Sequence, residues 1–465
     1  MAIRLFDHYI SLPVAILVIT EMLVASAAIC IGTMLAVQFG WVPPPASAAI
    51  ETSRIVAVCG MLFLSLAAMG LYRIALRATF AGVAARVITA VVLTGMALPF
   101  MYYFFRGLYM TPGTLTLSSV LALIGLLGVR YLFLKLVDES LFKRRILVLG
   151  AGKRAEQFLQ LRRQSDQRGF KLVRFIAMVG DLDSEVPKKR VRPLPSSLID
   201  YCRRHEIDEI VIALDDRRGS LPIRELLECR LESIDITDVM SFLERETGKL
   251  NLTLVSPSWL IFEGGFRRQL PRRIAQRVFD VVSSSIVLVL ASPIMIVTAL
   301  LILMEDGRPV FYRQRRVGQG NTVFNVLKFR SMRTDAEAAG KAVWAKKDDD
   351  RITRVGNVIR KLRIDELPQL INVLAGQMSV VGPRPERPEF VETLSEQIPY
   401  YLERHRVRPG ITGWAQLCYP YGSSEKDAFE KLQYDLYYVK NRTLVFDFMI
   451  LLQTAEVVLW QKGAR

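Results

Sequence analysis

The chain has 465 residues, 51% of them hydrophobic, with a mean hydropathy of +0.27 and a formal net charge of +16, long enough for two or three domains. The basic residues crowd beside apolar stretches, so an anionic bilayer surface and phosphate-bearing substrates account for the charge, and no nucleic-acid partner is expected. The five cysteines form no C-x-x-C pair and the three histidines, His8, His205 and His405, lie far apart, which argues against a disulfide framework or a zinc site; any metal is expected to be oxygen-bound Mg²⁺.

Four long apolar segments come first, at about 13–37, 54–72, 83–105 and 114–136, each near the ~20 residues that cross a bilayer. They predict a membrane α-helical bundle over residues 1–142. The first is too long for a cleaved signal. Arg73, Arg77 and Arg86 flank the second loop, and Lys143, Arg144 and Arg145 follow the fourth span. The first loop has no Lys or Arg before Arg54 and the third has only Arg106, so the positive-inside rule puts both ends of the bundle in the cytoplasm. Glu21 is the exceptional charge in these spans, which argues against a transport pathway.

Residues 145–150 read as a buried strand, after which Gly150-Ala-Gly152-Lys-Arg-Ala155 opens a helix, the G-x-G-x-x-A pattern of a dinucleotide site. Further strands at 171–179 and 209–214 complete an α/β Rossmann-like domain over 143–255. Asp181, the candidate ribose-binding acid, lies beyond the usual spacing of ~20 residues, and the same glycines also serve a tight turn alone. Nucleotide binding and a purely structural turn therefore both stand. No Tyr-x-x-x-Lys pair lies between Gly150 and Leu250, which tells against a membrane-tethered nucleotide-sugar-modifying enzyme. Regulation, or assembly into a homodimer, is the expected role of this domain.

Residues 256–277 read as a basic linker carrying Arg267, Arg268, Arg272, Arg273 and Arg277, ahead of a fifth apolar run at 278–304. Arg308, Arg313, Arg315, Arg316, Lys328 and Arg330 follow that run, so both flanks are positive and both read as cytoplasmic. Ser292-Pro293 falls mid-run, where Pro removes a backbone donor. A re-entrant membrane helix, broken there and returning to its own side, is expected; a fifth spanning helix is the alternative.

Residues 305–465 read as a small α/β catalytic domain. Alternating Val323, Asn325, Leu327 and Phe329 predict a strand, from which Lys328 and Arg330 could face a diphosphate. Asp348-Asp349-Asp350 reads as a solvated turn. In RKLRIDELPQLINVLAGQMSVVGPRPE, residues 360–386, Leu367, Leu370, Ile371 and Leu374 recur at helical spacing and Pro368 marks a first turn. Asp365 and Glu366 are thus placed at a helix N-terminus, whose partial positive charge is expected to keep Asp365 ionised and to attract phosphate. An acidic cap on a surface helix is the plainer reading. The prolines beside Arg384 fix its direction and suit it to contact with phosphate oxygens. Arg404, Arg406 and Arg408 precede Pro409-Gly410. Trp414 either stacks on a base or packs a core, and the amphipathic stretch 429–460 either rests in the membrane interface or packs on the domain.

The run R-x-D-E-L-P-Q-L-x-N followed by V-G-P-R-P-E resembles the bacterial polyprenyl-phosphate glycosylphosphotransferases, the monotopic phosphoglycosyl transferases. Pro309-Val310-Phe311, Arg313-Gln314, Arg316-Val317-Gly318 and Lys328-Phe329-Arg330-Ser331-Met332 extend the resemblance upstream, and Arg408-Pro409-Gly410-Ile411-Thr412-Gly413-Trp414 extends it downstream. The front of the chain is similar to the long members of that family, with four membrane helices and a Rossmann-like domain. The overall layout and closing Gly463-Ala464-Arg465 resemble the exopolysaccharide subfamily linked to exosortase systems. The resemblance implies transfer of a sugar-1-phosphate from a UDP-sugar to a polyprenyl phosphate such as undecaprenyl phosphate, with release of UMP, at the cytoplasmic face of a bacterial inner membrane. It implies Asp365 as nucleophile of a covalent aspartyl intermediate and as ligand of Mg²⁺, with Glu366 holding the metal or ordering the site. Arg384, Arg408, Lys328 and Arg330 become the expected phosphate contacts, and Ser292-Pro293 the break of the re-entrant helix. A non-catalytic scaffold of a polysaccharide assembly complex is the alternative.

Overall fold

The computed structural model describes residues 2–5, 8–44, 48–72, 80–136, 143–161, 169–178, 186–216, 221–255, 270–333, 351–419, 422 and 424–460. The chain divides into two compact units, 1–254 and 255–465. Asp181, Arg73, Arg77, Arg267, Arg268, the Asp348–350 run and the closing Gly-Ala-Arg lie outside the described residues.

In the first unit, strands β1 (Ala2–Leu5) and β2 (His8–Ser11) pair antiparallel ahead of helices α1 (Leu12–Gln38), α2 (Ala48–Ala68), α3 (Phe80–Phe104) and α4 (Pro112–Leu136). All four are long and apolar enough to cross a bilayer, as is α9 below, which makes five such helices among the described residues. Ile29, Leu62, Leu66, Val87 and Leu126 pack the bundle interior, while Leu23, Met34, Val56 and Met96 face outward, as a lipid solvent permits. Glu21 is fully buried and has a partner that the sequence reading missed. Arg130, on α4, donates to it through Nε (2.5 Å) and Nη2 (3.0 Å) and reaches the Leu71 carbonyl through Nη1 (2.8 Å). The pair ties α1 to α4 and to the chain beyond α2, and leaves neither charge unpaired inside the bundle.

The rest of this unit is an α/β domain: β3 (Arg144–Leu149), α5 (Lys153–Gln160), β4 (Phe170–Ala177), β5 (Val191–Pro193), α6 (Leu198–Arg204), β6 (Glu209–Ile212), α7 (Ile223–Leu231), β7 (Asp235–Asp238) and α8 (Val239–Thr247). The sheet is parallel, in the order β5-β4-β3-β6-β7. Its central strand buries Ile146, Leu147, Val148 and Leu149 completely, the unbroken apolar run of a strand covered on both faces. Strand order reverses at β3, the switch point of a doubly wound fold. The Rossmann-like domain expected from the sequence is present.

The second unit opens with α9 (Leu270–Asp306) and continues through the antiparallel hairpin β8 (Phe311–Val317) and β9 (Val323–Phe329). It then runs through α10 (Arg354–Lys361), α11 (Gln369–Leu374), β10 (Ser379–Val381), α12 (Pro388–Gln397), β11 (Gly410–Thr412), α13 (Trp414–Cys418), α14 (Glu425–Asn441) and α15 (Leu444–Trp460). Strands β10 and β11 pair in parallel. Val326, Val373, Val380, Val381, Tyr438, Phe446 and Ile450 form the main core.

Two local expectations change and two are filled in. Arg272, Arg273 and Arg277 stand in the first turns of α9 and not in a linker. That helix runs unbroken through Ser292-Pro293, where a break is expected. The strand expected over Val323–Phe329 is present as β9; it buries Val326 against Val373 and Met378, and Phe329 against Ile302 and Ile359. The stretch 429–460 is two helices, of which α14 buries Leu432, Tyr434, Leu436 and Tyr438 in the domain, the packing alternative for that part.

Candidate active site

Arg363 closes α10 in the left-handed backbone region (φ +57°), a conformation sparsely used by side chains larger than glycine. The chain then makes one 3₁₀ turn, Ile364–Glu366, and enters α11 through Pro368. Asp365 and Glu366 therefore sit on a tight turn ahead of a six-residue helix, not inside the first turn of a long one. Of the apolar stripe expected there, Leu370 is buried while Ile371 is exposed, because α11 is too short to keep one continuous face.

The two acids are treated differently. Glu366 Oε1 accepts from Arg384 Nη2 at 2.7 Å, and Oε2 lies 3.4 Å from Arg363 Nη1. Burial alone would raise its pKa, but the cations of Arg384, Lys328 and Arg363 outweigh it and hold the carboxyl at about 2. Asp365 accepts no hydrogen bond from the described residues. Burial pushes its carboxyl up to about 6 and the neighbouring Glu366 charge adds to the rise, with Lys328, Arg360 and Arg384 opposing. Asp365 is therefore a weaker acid than the helix end alone implies, because burial and the adjacent Glu366 charge raise it while Glu366 takes the arginine. Lys328, on β9, is pushed down to about 8, chiefly by burial.

Second contacts set this geometry. Asn372 accepts from Leu327 N (2.9 Å) and donates to the Asn325 carbonyl (2.8 Å), which locks α11 to β9 and sets Lys328 against the acidic turn. Arg404, 6% exposed, bonds the Arg384 carbonyl (3.0 Å), the Tyr401 hydroxyl (2.7 Å) and the Asp435 carboxylate (2.7 Å). A chain of contacts therefore runs Asp435–Arg404–Arg384–Glu366. Gly382 allows β10 to approach β11 closely, since a Cβ there would lie 2.4 Å from the Arg408 carbonyl oxygen.

The structure brings Asp365, Glu366, Lys328 and Arg384 together and adds Arg360 and Arg363, which lay within the quoted motif without a role. It does not bring Arg330 or Arg408 to them. Arg330 is buried and its Nη2 holds the end of α9, donating to the carbonyls of Asp306 (2.9 Å) and Gly307 (2.8 Å). The charged neighbours of Arg408 are Arg277, Asp280 and Arg273, in a cleft also lined by Gln276, Gln319 and Arg442. That cleft lies past the other end of α11, whose last carbonyls, Val373 and Leu374, accept from Arg277 at 2.6 Å each. Trp414 packs edge-on to Phe446 with ring centroids 5.2 Å apart, which supports its core reading.

Among the described residues no group of three acidic, His or Cys ligands gathers. The unengaged carboxylate of Asp365 fits a cation that takes its other ligands from phosphate oxygens and water, the habit of Mg²⁺; Glu366, committed to arginines, fits less well.

The fold and the site together define a membrane-embedded protein with a cation-ringed carboxylate pair suited to phosphate chemistry. A model of the bacterial sugar transferase family matches residues 271–461, and a model of a CoA-binding domain matches residues 67–228. The chain belongs to the bacterial sugar transferase family. It is 42% identical over 251 residues to the UDP-N-acetylgalactosamine-undecaprenyl-phosphate N-acetylgalactosaminephosphotransferase of Aeromonas hydrophila, covering 54% of this chain and 58% of that one. It is 32% identical to the undecaprenyl-phosphate glucose phosphotransferase of Komagataeibacter xylinus, covering 69% of this chain and 60% of that one. To the UDP-glucose:undecaprenyl-phosphate glucose-1-phosphate transferase of Klebsiella pneumoniae it is 34% identical, covering 67% of each. The chain spans less than two thirds of the length of the Aeromonas and Komagataeibacter proteins.

Proposed function

We propose that the protein transfers a sugar-1-phosphate from a UDP-sugar to undecaprenyl phosphate and releases UMP, the substrate classes named for its relatives. The observation that carries this reading is the division of labour in the acidic pair, one carboxylate hydrogen-bonded by arginine and the other accepting no hydrogen bond from the described residues.

Asp365 attacks the sugar-bearing phosphorus through a carboxylate oxygen. The phosphorus–oxygen bond to the uridylate breaks, and UMP leaves with the electron pair. An oxygen of the lipid phosphate then attacks the same phosphorus, the bond to Asp365 breaks, and the carboxylate returns. The anomeric carbon–oxygen bond is never cut, so its configuration persists. Lys328 opposes the charge on the transferring phosphate, and Arg384 keeps Glu366 neutralised beside it. Asp365, with diphosphate oxygens, would hold Mg²⁺, which when bound supplies further neutralisation.

The two ends of α9 support a re-entrant membrane helix. Where its apolar run begins, Asp280 accepts from Ser379 Oγ (2.7 Å) and Val380 N (3.0 Å). At its end, Glu305 caps α10 through Arg354 N (2.8 Å) and Val355 N (2.9 Å). One small domain therefore grips both ends, while Val289 and Leu290 in the middle are exposed. A spanning helix would put its ends on opposite faces, ~30 Å apart, so anchoring of both on one domain requires the continuous α9 to bend along its length, which Pro293 permits. With positive charge on both flanks, the catalytic domain is assigned to the cytoplasmic face of a bacterial inner membrane, where it meets both a soluble nucleotide sugar and a lipid phosphate. The product would start an exopolysaccharide or another surface polysaccharide.

The test is UMP release from purified membranes given a panel of UDP-sugars and undecaprenyl phosphate. Asp365→Asn should abolish release with membrane insertion intact, and mass spectrometry of the wild type should find a phosphosugar on Asp365. Unchanged turnover in Asp365→Asn defeats the proposal in favour of a scaffold.

A further inference from the structure

The doubly wound sheet and the matched CoA-binding model imply a nucleotide at the β3–α5 turn, and the residues there can be tested for fit. Two backbone donors at the head of α5 point out of the helix, the N–H groups of Lys153 and Arg154. Both are taken: Lys153 N donates to Asp215 Oδ2 and Arg154 N to Asp215 Oδ1, each at 2.9 Å. Asp215 arrives from just beyond β6, on the neighbouring side of the switch point, after Ala213 N has bonded the Leu149 carbonyl (2.7 Å).

We infer that the turn at the head of α5 takes no nucleotide pyrophosphate, because the carboxylate of Asp215 already occupies the anion position. In a dinucleotide site the second glycine of G-x-G-x-x-A clears space for the pyrophosphate, the first makes the tight turn, and the Ala packs helix on sheet. All three positions keep their geometry here. Gly150 has φ +122° and a Cβ on it would lie 2.4 Å from the Ala213 carbonyl oxygen; Ala155 is fully buried. The space at Gly152 is filled, however. A Cβ there would lie 2.0 Å from Asp215 Oδ2. The glycine pattern is thus accounted for by an internal carboxylate with the charge and bidentate reach of a phosphate, placed where a helix N-terminus favours an anion. An incoming pyrophosphate would find its donors used and a like charge in its place. The fingerprint marks a closed version of the fold, which leaves the domain a structural or assembly role at this turn.

The experiment uses the full chain in lipid nanodiscs, with NADH, coenzyme A and inorganic pyrophosphate as probes and excess UMP present to saturate the nucleotide site of the second unit. Hydrogen exchange is followed in peptides covering residues 150–160. In the wild type no probe should slow exchange there. Asp215→Ala should speed it about tenfold, as for loss of a hydrogen bond to a charged group, and pyrophosphate should restore protection. Asp215→Asn, the milder change should the Ala variant not fold, should fall between the two. Protection of this segment by NADH or coenzyme A in the wild type overturns the inference, as does unchanged exchange in a folded Asp215→Ala protein.

Discussion

Ser292 Oγ donates to the carbonyl oxygen of Val289 at 2.8 Å. Pro293 has no N–H, so Val289, four residues before it, is the carbonyl that the helix leaves unserved. The hydroxyl supplies the missing donor, and this is why α9 keeps its helical course through the Ser-Pro pair. In hydrocarbon no water can do the same. Ser292→Ala should cost about 1–3 kcal/mol of helix stability and lower the fraction of chain retained in carbonate-washed membranes, while Ser292→Thr should keep it. Equal retention of all three proteins would refute this account.

The acidic pair predicts a bell-shaped pH profile for kcat/KM. Asp365 acts as carboxylate and its pKa is raised to about 6, so activity falls as pH drops through that value. Lys328 acts as cation with its pKa lowered to about 8, so activity falls again as pH climbs past it. Glu366→Gln removes the charge that adds to the rise of Asp365, so the acid limb should move to lower pH as the maximum drops. UMP release measured across pH settles it; an acid limb that stays put or moves upward in Glu366→Gln contradicts the electrostatics.

Arg404 acts on the site at one remove. Asp435→Asn would remove the carboxylate bonded to its buried guanidinium, a loss of about 3–5 kcal/mol, and should lower Tm. Arg404→Lys keeps the charge but loses the planar fork that joins Tyr401, Asp435 and the Arg384 carbonyl. Turnover should fall in this variant, and the loss should be much smaller when Arg384 is already Ala. Additive losses in the double-mutant cycle would show that Arg404 serves stability alone.

In the bundle, Glu21→Gln should destabilise the first unit by about 3–5 kcal/mol, since it strands Arg130 inside the bundle. Replacing both residues, as in Glu21→Gln with Arg130→Met, should recover most of that loss, read as the thermal midpoint in detergent. A double variant no better than the single one would mean that the bond from Arg130 to the Leu71 carbonyl carries the tie.

Several features were legible in the residues because they are local. Apolar length defined the four bundle helices and α9, the continuous Ile-Leu-Val-Leu run defined a doubly covered strand, and the D-E-L-P and G-P-R-P runs marked the acidic turn and the arginine loop. What stayed hidden depends on residues far apart in the chain. Nothing near Glu21 announces Arg130, nothing near Gly152 announces Asp215, and spacing could not tell that Arg330 holds the end of α9 or that Arg408 lies past the far end of α11. The two carboxyls at 365 and 366 are also chemically alike as sequence. Their opposite pKa shifts arise from burial and from which one meets Arg384, and only the packing of β9, α11 and the loop after β10 decides that.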